Sequence, residues 1–206
     1  VDTAKAATVV GNPRHMALGY QAQLESIVLL TNDGTLPVSE TRLDIKPSSI
    51  AARKTRIYVS GISSEVAGQY ATVVDSPEEA DVAVLFVAPG TGPANTATDI
   101  DITISNQTRD LILNVAKSGV PTIVAFKLSQ PCVIPKEVVD ATAGMLATFG
   151  VTDNALLDVV FGRFNPTGKL PFQMPATMDA VRKQLEDTPF DAKDVLFDYG
   201  HGLSYK

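Results

Sequence analysis

The sequence predicts a three-layer α/β/α sandwich: a mostly parallel sheet of about five to six strands with helices on both faces. Two observations support this fold class. "DVAVLFVAPG" (81–90), "TIVAF" (122–126) and "GMLATFG" (144–150) are continuous apolar runs of strand length, as strands covered on both faces require. Between them lie segments with apolar residues at helical spacing, and such alternation gives parallel sheets flanked by helices.

The elements follow in order. "HMALGYQAQLESIVLLTNDGTLPV" reads as a helix through Ile27 and then as an extended segment, with Asn32, Asp33 and Gly34 as a turn. "SETRLDIKPSSIAARKT" (39–55) is polar and weakly periodic, which predicts a connecting loop. "RIYVSG" (56–61) and "ATVVDS" (71–76) are short β-rich runs bounded by turn residues. "SPEE" has the form of a helix start, with Ser76 as cap, Pro77 at the first position and Glu79 three residues after the cap. "SNQTRDLILNVAKSGVP" sets Leu111, Ile112, Val115 and Ala116 on one helical face. Ser105 serves as its cap, Gly119 as its stop, and Pro121 lies just beyond. The pattern repeats through Ala155, Leu156, Val159 and Val160 and closes at Gly162. Asn165, Pro166, Thr167 and Gly168 then form a turn, and 169–175 is expected to cross the sandwich as a strand or arm. The remainder wraps the sheet and returns with "FDYGHGLSY". The expected organisation is one domain: a leading helix, strand and loop (1–55), an α/β core (56–162) and a wrapping segment (163–206).

Composition narrows the function classes. The chain has 206 residues, 45% hydrophobic and 19% charged, as in an ordinary soluble globular protein. A net charge of -6 and a pI near 4.9 argue against nucleic acid, whose phosphates call for a positive field. No apolar run approaches the roughly 20 residues of a membrane span, so no membrane partner is expected. "VDTAKAATVV" lacks the basic region and apolar block of a signal peptide, and Val1 in place of an initiator methionine reads as a piece of something longer. The compartment stays open between cytoplasmic and secreted. Cys132 is the single cysteine, which leaves no intrachain disulfide or multi-cysteine metal site and reads as a buried structural thiol.

A parallel sheet raises the question of nucleotides, but the glycine loops do not fit. "GTGPA" (90–94) lacks the third glycine of a dinucleotide fingerprint, and "SGISSEVAG" carries no phosphate-loop Gly-Lys-Ser. No Gly-x-Ser-x-Gly elbow is present. His15 and His201 have no metal-ligand spacing, so neither a metal nor a cofactor is expected. The remaining chemistry lies in carboxylates. Asp99 and Asp101 alternate on "TDIDITI", which would turn both to one face beyond a strand end, the usual ligand edge of an open α/β sheet. The plain alternative is a solvated loop with a capping aspartate. His201, between two glycines in "YGHGLSY", is either a structural hydrogen-bond donor or a substrate contact.

Three stretches resemble the C-terminal domain of glycoside hydrolase family 3. "ESIVLLTNDGTLPV" is similar to its "ESIVLLKN…LPL" segment and "ALLDVVFGRFNPTGKLPFQMP" to its "A…DVLFG…NPSGKLPFTxP". "FDYGHGLSYK" is similar to its "FGHGLSY" ending. Order and spacing also match, over nearly the whole chain. The resemblance implies a partner domain, a catalytic (β/α)8 barrel bearing a nucleophilic aspartate, and a terminal β-linked glucose or N-acetylglucosamine as substrate. It also implies retaining hydrolysis, which uses two carboxyls about 5 Å apart. A barrel takes about 250 residues, so the chain is expected to lack one and to be inactive alone. In many members a loop of the sandwich supplies the acid/base glutamate, within "GE…AExxGD". Here that loop reads "APGTGPANTATDIDITI": Asn95 falls about where a family glutamate would stand and Asp99 about where the aspartate would. No glutamate occurs between Ala80 and Lys136, and an amide cannot donate a proton to a leaving group. Two explanations stay open. The chain resembles the N-acetylglucosaminide branch, whose acid sits in the barrel, or Asp99 or Asp101 substitutes for the glutamate. Asn95, Asp99 and His201 are the candidate substrate contacts. The rival readings are a non-catalytic sugar-binding or regulatory module and a flavodoxin-like nucleotide-binding domain.

Overall fold

The computed structural model describes residues 2–46, 49–90, 101–185 and 187–205. The chain opens with α1 (Thr3–Val9) and α2 (Pro13–Ser26), the latter capped by the Asn12 side chain and started by Pro13. β1 (Val28–Asn32) follows directly, and then β2 (Thr41–Lys46) and β3 (Ser49–Lys54). The α/β core runs through β4 (Arg56–Ser60), α3 (Ser64–Gly68), β5 (Thr72–Val73), β6 (Val82–Val87) and α4 (Asn106–Ala116). It continues with β7 (Thr122–Lys127), α5 (Lys136–Ala141), β8 (Gly144–Thr148) and α6 (Asp153–Val160). β9 (Met174–Pro175), α7 (Met178–Arg182) and β10 (Val195–Phe197) complete the chain.

The main sheet has six strands in the order β1-β8-β7-β6-β4-β5. Five are parallel, and β1 joins antiparallel to β8. The predicted sandwich is therefore present. Successive residues of the central strands face opposite layers. Val82, Val84 and Phe86 pack with Leu24, Tyr70, Leu156 and Val160 under α2, α3 and α6. Ala83, Leu85 and Val87 pack with Ile112, Val115 and Val138 under α4 and α5, and with Leu170, Met174 and Phe197 of the C-terminal segment. Both faces are covered, so these strands read as unbroken apolar runs. The cap foreseen at Ser105 accepts a backbone N–H of the first helical turn, and Thr152 does the same for α6.

Two expectations are corrected. Residues 39–55 are not a loop, because β2 and β3 pair antiparallel as a hairpin. No alternation announced it, since its stabilising face is ionic. Arg53 donates to Asp44 at 2.9 Å and grips Asp81 with both terminal nitrogens at 2.5 and 2.7 Å, while Leu43 and Ile50 stay exposed. "SPEE" starts no α-helix. Pro77–Glu79 form one 3-10 turn and the Ser76 side chain caps nothing, because the chain enters β6 three residues later. Residues 169–175 form an arm with Leu170 and Met174 buried in the core, and its last two residues pair with β10 as a strand.

The three family-like motifs meet in space along β1. Leu203 N–H donates to Leu29 O at 2.8 Å, and Leu170 N–H to His201 O at 2.9 Å. The backbones run so close that a Cβ on Gly168 would stand 2.5 Å from Ile27 O, and one on Gly202 would collide with the Gly168 carbonyl. Tyr205 ties the end down, its hydroxyl donating to Val159 O at 2.8 Å and its N–H to Asn165 Oδ1 at 2.7 Å. Beside this seam, Asp158 accepts from Tyr20 at 2.6 Å and from Tyr70 at 2.7 Å. Burial, and then the Asp158 carboxylate, push the Tyr70 phenol up to about 12. Arg163 stacks 4.2 Å over the Tyr70 ring and pairs with Glu40 at 2.8 Å.

Candidate functional site at the carboxyl edge of the sheet

The parallel strands β5-β4-β6-β7-β8 have the order 2-1-3-4-5 of flavodoxin-type sheets, so the strand order reverses between β4 and β6. Ligands of such sheets settle beyond the carboxyl ends, in the crevice at that reversal. On the β4 side, the Ser63 N–H, a donor a phosphate would use, is occupied by the Asp153 carboxylate at 2.8 Å. An anion would meet negative charge there, which disfavours the nucleotide-binding rival on physical grounds.

On the β6 side, the chain leaves at Ala88, Pro89 and Gly90 and is described again from Asp101. The two ends are fastened together. Ser105 N–H donates to Pro89 O at 2.8 Å, and the Thr108 hydroxyl donates to Ala88 O at 3.0 Å. Residues 102–104 pair with Val133 beyond β7: Ile104 N–H donates to Val133 O at 3.0 Å and Val133 N–H to Ile102 O at 2.9 Å. Residues 88–89 and 101–108 are thus joined at this edge, and Asn95 and Asp99 lie outside the described residues.

Asp101 is exposed at this base, and its Oδ1 accepts the Thr103 N–H at 2.8 Å. Hydrogen bonds from the Thr103 side chain and backbone, and more weakly the Arg182 charge at the end of α7, hold its carboxyl below the usual carboxylate range. That direction suits a charged hydrogen-bond acceptor, whereas a proton donor needs the opposite shift. Next along the edge, Lys127 Nζ lies 4.0 Å over the Phe86 ring. Cys132 is buried, and burial pushes its thiol up to about 12, so it is no nucleophile at neutral pH.

The C-terminal segment lies over the same edge, with Phe172 set edge-on to Phe149 just after β8. Between α7 and Asp194 it encloses a cavity of about 760 Å³ lined by Asp179, Lys183, Gln184, Asp191 and Lys193 among others. Sequence reasoning passed over these residues. The signal available to it was the dense alternation of acids, lysines and amides in "TMDAVRKQLEDTPFDAKD".

His201 lies elsewhere. Its Nε2 is 2.8 Å from Leu30 O, and its ring stacks on Phe197 at 4.9 Å. Facing a carbonyl, Nε2 carries the hydrogen, so a sugar hydroxyl would have to reach Nδ1. β8 and β7 separate β1 from β6, so the structure does not bring His201 and Asp101 together. Among the described residues, no group of three or more His, Cys, Asp or Glu side chains could hold a metal, and no helix is long and apolar enough to cross a membrane.

The sequence pattern of the glycosyl hydrolase family 3 C-terminal domain matches residues 27–205. The chain belongs to that family. β-Glucosidase C of Emericella nidulans is 40% identical over all of this chain, and probable β-glucosidase C of Aspergillus flavus is 39% identical over the same extent. A periplasmic β-glucosidase/β-xylosidase of Dickeya chrysanthemi is 31% identical, again over the whole chain. This family 3 domain spans about a third of the length of the curated relatives it matches (32%, 32% and 31%, respectively). Solved structures share the fold. A β-glucosidase from Erythrobacter marinus superposes with a TM-score of 0.75 at 17% identity, over 99% of this chain and 37% of that one. β-Glucosidase 3B from Thermotoga neapolitana, in complex with α-D-glucose, gives 0.69 at 18% identity, over 93% and 38%.

Proposed function

We propose that this domain belongs to a retaining, exo-acting β-glucosidase in which it packs on a (β/α)8 barrel and closes the pocket for a terminal β-linked glucose. The observation that carries this is the match of the entire chain to a third of proteins named β-glucosidase, at up to 40% identity. Those names favour glucose over N-acetylglucosamine as the sugar.

In this reading the barrel supplies the nucleophile, and the domain supplies the carboxyl edge of its sheet. Asp101, held charged, accepts a hydrogen bond from a sugar hydroxyl. Asn95 and Asp99, in the stretch of sequence between Gly90 and Asp101, are further sugar contacts. With no glutamate between Ala80 and Lys136, the proton for the leaving group comes from the barrel or from Asp99, and the shift at Asp101 makes it the poorer donor. His201 serves first to hold the C-terminal end against β1.

Whole protein and residues 1–206 are to be assayed side by side on an aryl β-glucoside and an aryl N-acetyl-β-glucosaminide. Hydrolysis of the glucoside by the whole protein alone is expected. Preference for the glucosaminide would overturn the choice of sugar, and turnover by residues 1–206 would overturn the division of labour.

A further inference from the structure

The first two helices are attached to the body at one end only. α2 turns Tyr20, Gln23 and Leu24 inward, with Ile27 next at the same spacing. Gln23 accepts the Thr152 N–H at 2.7 Å, and Tyr20 reaches Asp158. Met16 stands on that same stripe, one turn before Tyr20, yet it is 65% exposed. Leu18 on the other side is 61% exposed, and Val10, at the end of α1, is 78% exposed. The stripe is apolar for one turn more than the body can cover. A seven-residue helix such as α1 is also too short to persist in water on its own propensity.

A second observation, independent of exposure, points the same way. The family 3 C-terminal pattern begins at residue 27, three residues after Leu24, the first residue buried among those described. The relatives nevertheless match from the start of the chain, and about two-thirds of their length lies outside the match. Residues 2–26 are thus shared with whole β-glucosidases but lie ahead of the family pattern, and of α2 it is the half from Tyr20 onward that packs on the sandwich.

We propose that α1 and the first half of α2 are a docking strip for the domain that these relatives carry outside the matched third, with Val10, Met16 and Leu18 seated in apolar sites upon it. The identity of that domain as a barrel rests on the function proposed above, but the existence of the contact does not. The strip would carry the docking energy at one end of the domain, leaving the carboxyl edge free to be shaped by substrate.

The test uses the whole protein. Amide hydrogen exchange of residues 9–20 is measured in the wild type and in a Met16→Asp/Leu18→Asp variant, together with hydrolysis of an aryl β-glucoside. Protection of these amides at least 100-fold in the wild type, reduced tenfold or more in the variant while β6 and β7 stay protected, is the expected result. Free-peptide exchange in the wild type overturns the proposal, and so does protection that disappears on dilution, which would make a second copy the occupant. A variant too unstable to purify leaves the wild-type measurement decisive. A protected strip in a protein without glucosidase activity would sink the functional proposal and keep this one. An exchanging strip in an active enzyme would do the reverse.

Discussion

The seam along β1 and the carboxyl edge beyond β6 are built from opposite materials. At the seam three separate stretches of chain touch backbone to backbone, with glycines at the contacts and hydrogen bonds from Leu203 to Leu29 and from Leu170 to His201. Little there can change without moving a main chain. At the carboxyl edge, Ser105, Thr108 and the pairing at Val133 join the chain through single side-chain and backbone bonds, and Asp101 is exposed beside them. Recognisable motifs therefore gather where main chains touch. The substrate contacts proposed above lie mostly where the sequence departs from the family pattern.

The largest expected effect comes from breaking the seam. Gly202→Ala places a methyl group against the Gly168 carbonyl and should cost about 4 kcal/mol, a large part of a typical domain's stability. Urea unfolding of the domain checks this, and a loss below about 1 kcal/mol would mean that the seam can open without cost. Asp158→Ala comes next, at about 3 kcal/mol, since two phenol donors and the Arg163 cation lose their shared acceptor. Its signature is a Tyr70 phenol that titrates well below its present position near 12, followed by ultraviolet absorbance.

A smaller effect belongs to the hairpin. The Arg53 guanidinium, helped by the Arg56 N–H, holds the Asp81 carboxyl down to about 2. Its folded pKa lies below its unfolded value, so the unfolded chain binds the proton first as pH falls. The stabilisation is complete above about pH 4 and is lost between there and about pH 2. Solvent screening around the partly open pair limits it to on the order of 1 kcal/mol. Arg53→Met should remove this part of the acid dependence. An unchanged stability profile between pH 4 and 2 would show that the pair does not hold the hairpin.

These two regions also explain what the sequence discloses. β6, β7 and β8 were legible because burial on both faces leaves only apolar residues, α4 because Ser105 announces its start, and α6 because Ala155, Leu156, Val159 and Val160 fall on one face before Gly162. The hairpin was not, since a strand pair fixed by Arg53, Asp44 and Asp81 shows no apolar alternation. Nor was α5, six residues long with Pro135 at its cap position and no side-chain cap. At the edge, Asp101 was legible as a candidate from its place after a strand. Its depressed acidity depends on Thr103 and on Arg182, eighty-one residues away, and no local pattern records that pairing. The cavity residues 177–194 were missed for a related reason: a polar run looks the same whether it is solvated or folded around a space.

The smallest effect on stability should accompany the sharpest effect on function, at Asp101. Asp101→Asn keeps the shape of the side chain and an oxygen able to accept the Thr103 N–H, so unfolding should shift by less than about 0.5 kcal/mol. If the carboxylate accepts a hydrogen bond from the sugar, loss of its charge should lower kcat/KM of the whole enzyme on an aryl β-glucoside by about 10- to 100-fold. The pH profile separates the two roles open to this residue. A hydrogen-bond acceptor lowers the rate at every pH above its own titration, whereas a proton donor would also remove the alkaline limb of the profile. The depressed acidity of Asp101 predicts the first behaviour, with the alkaline limb intact. Its disappearance in the variant would make Asp101 the acid/base after all and would place the missing glutamate's role on this edge of the sheet.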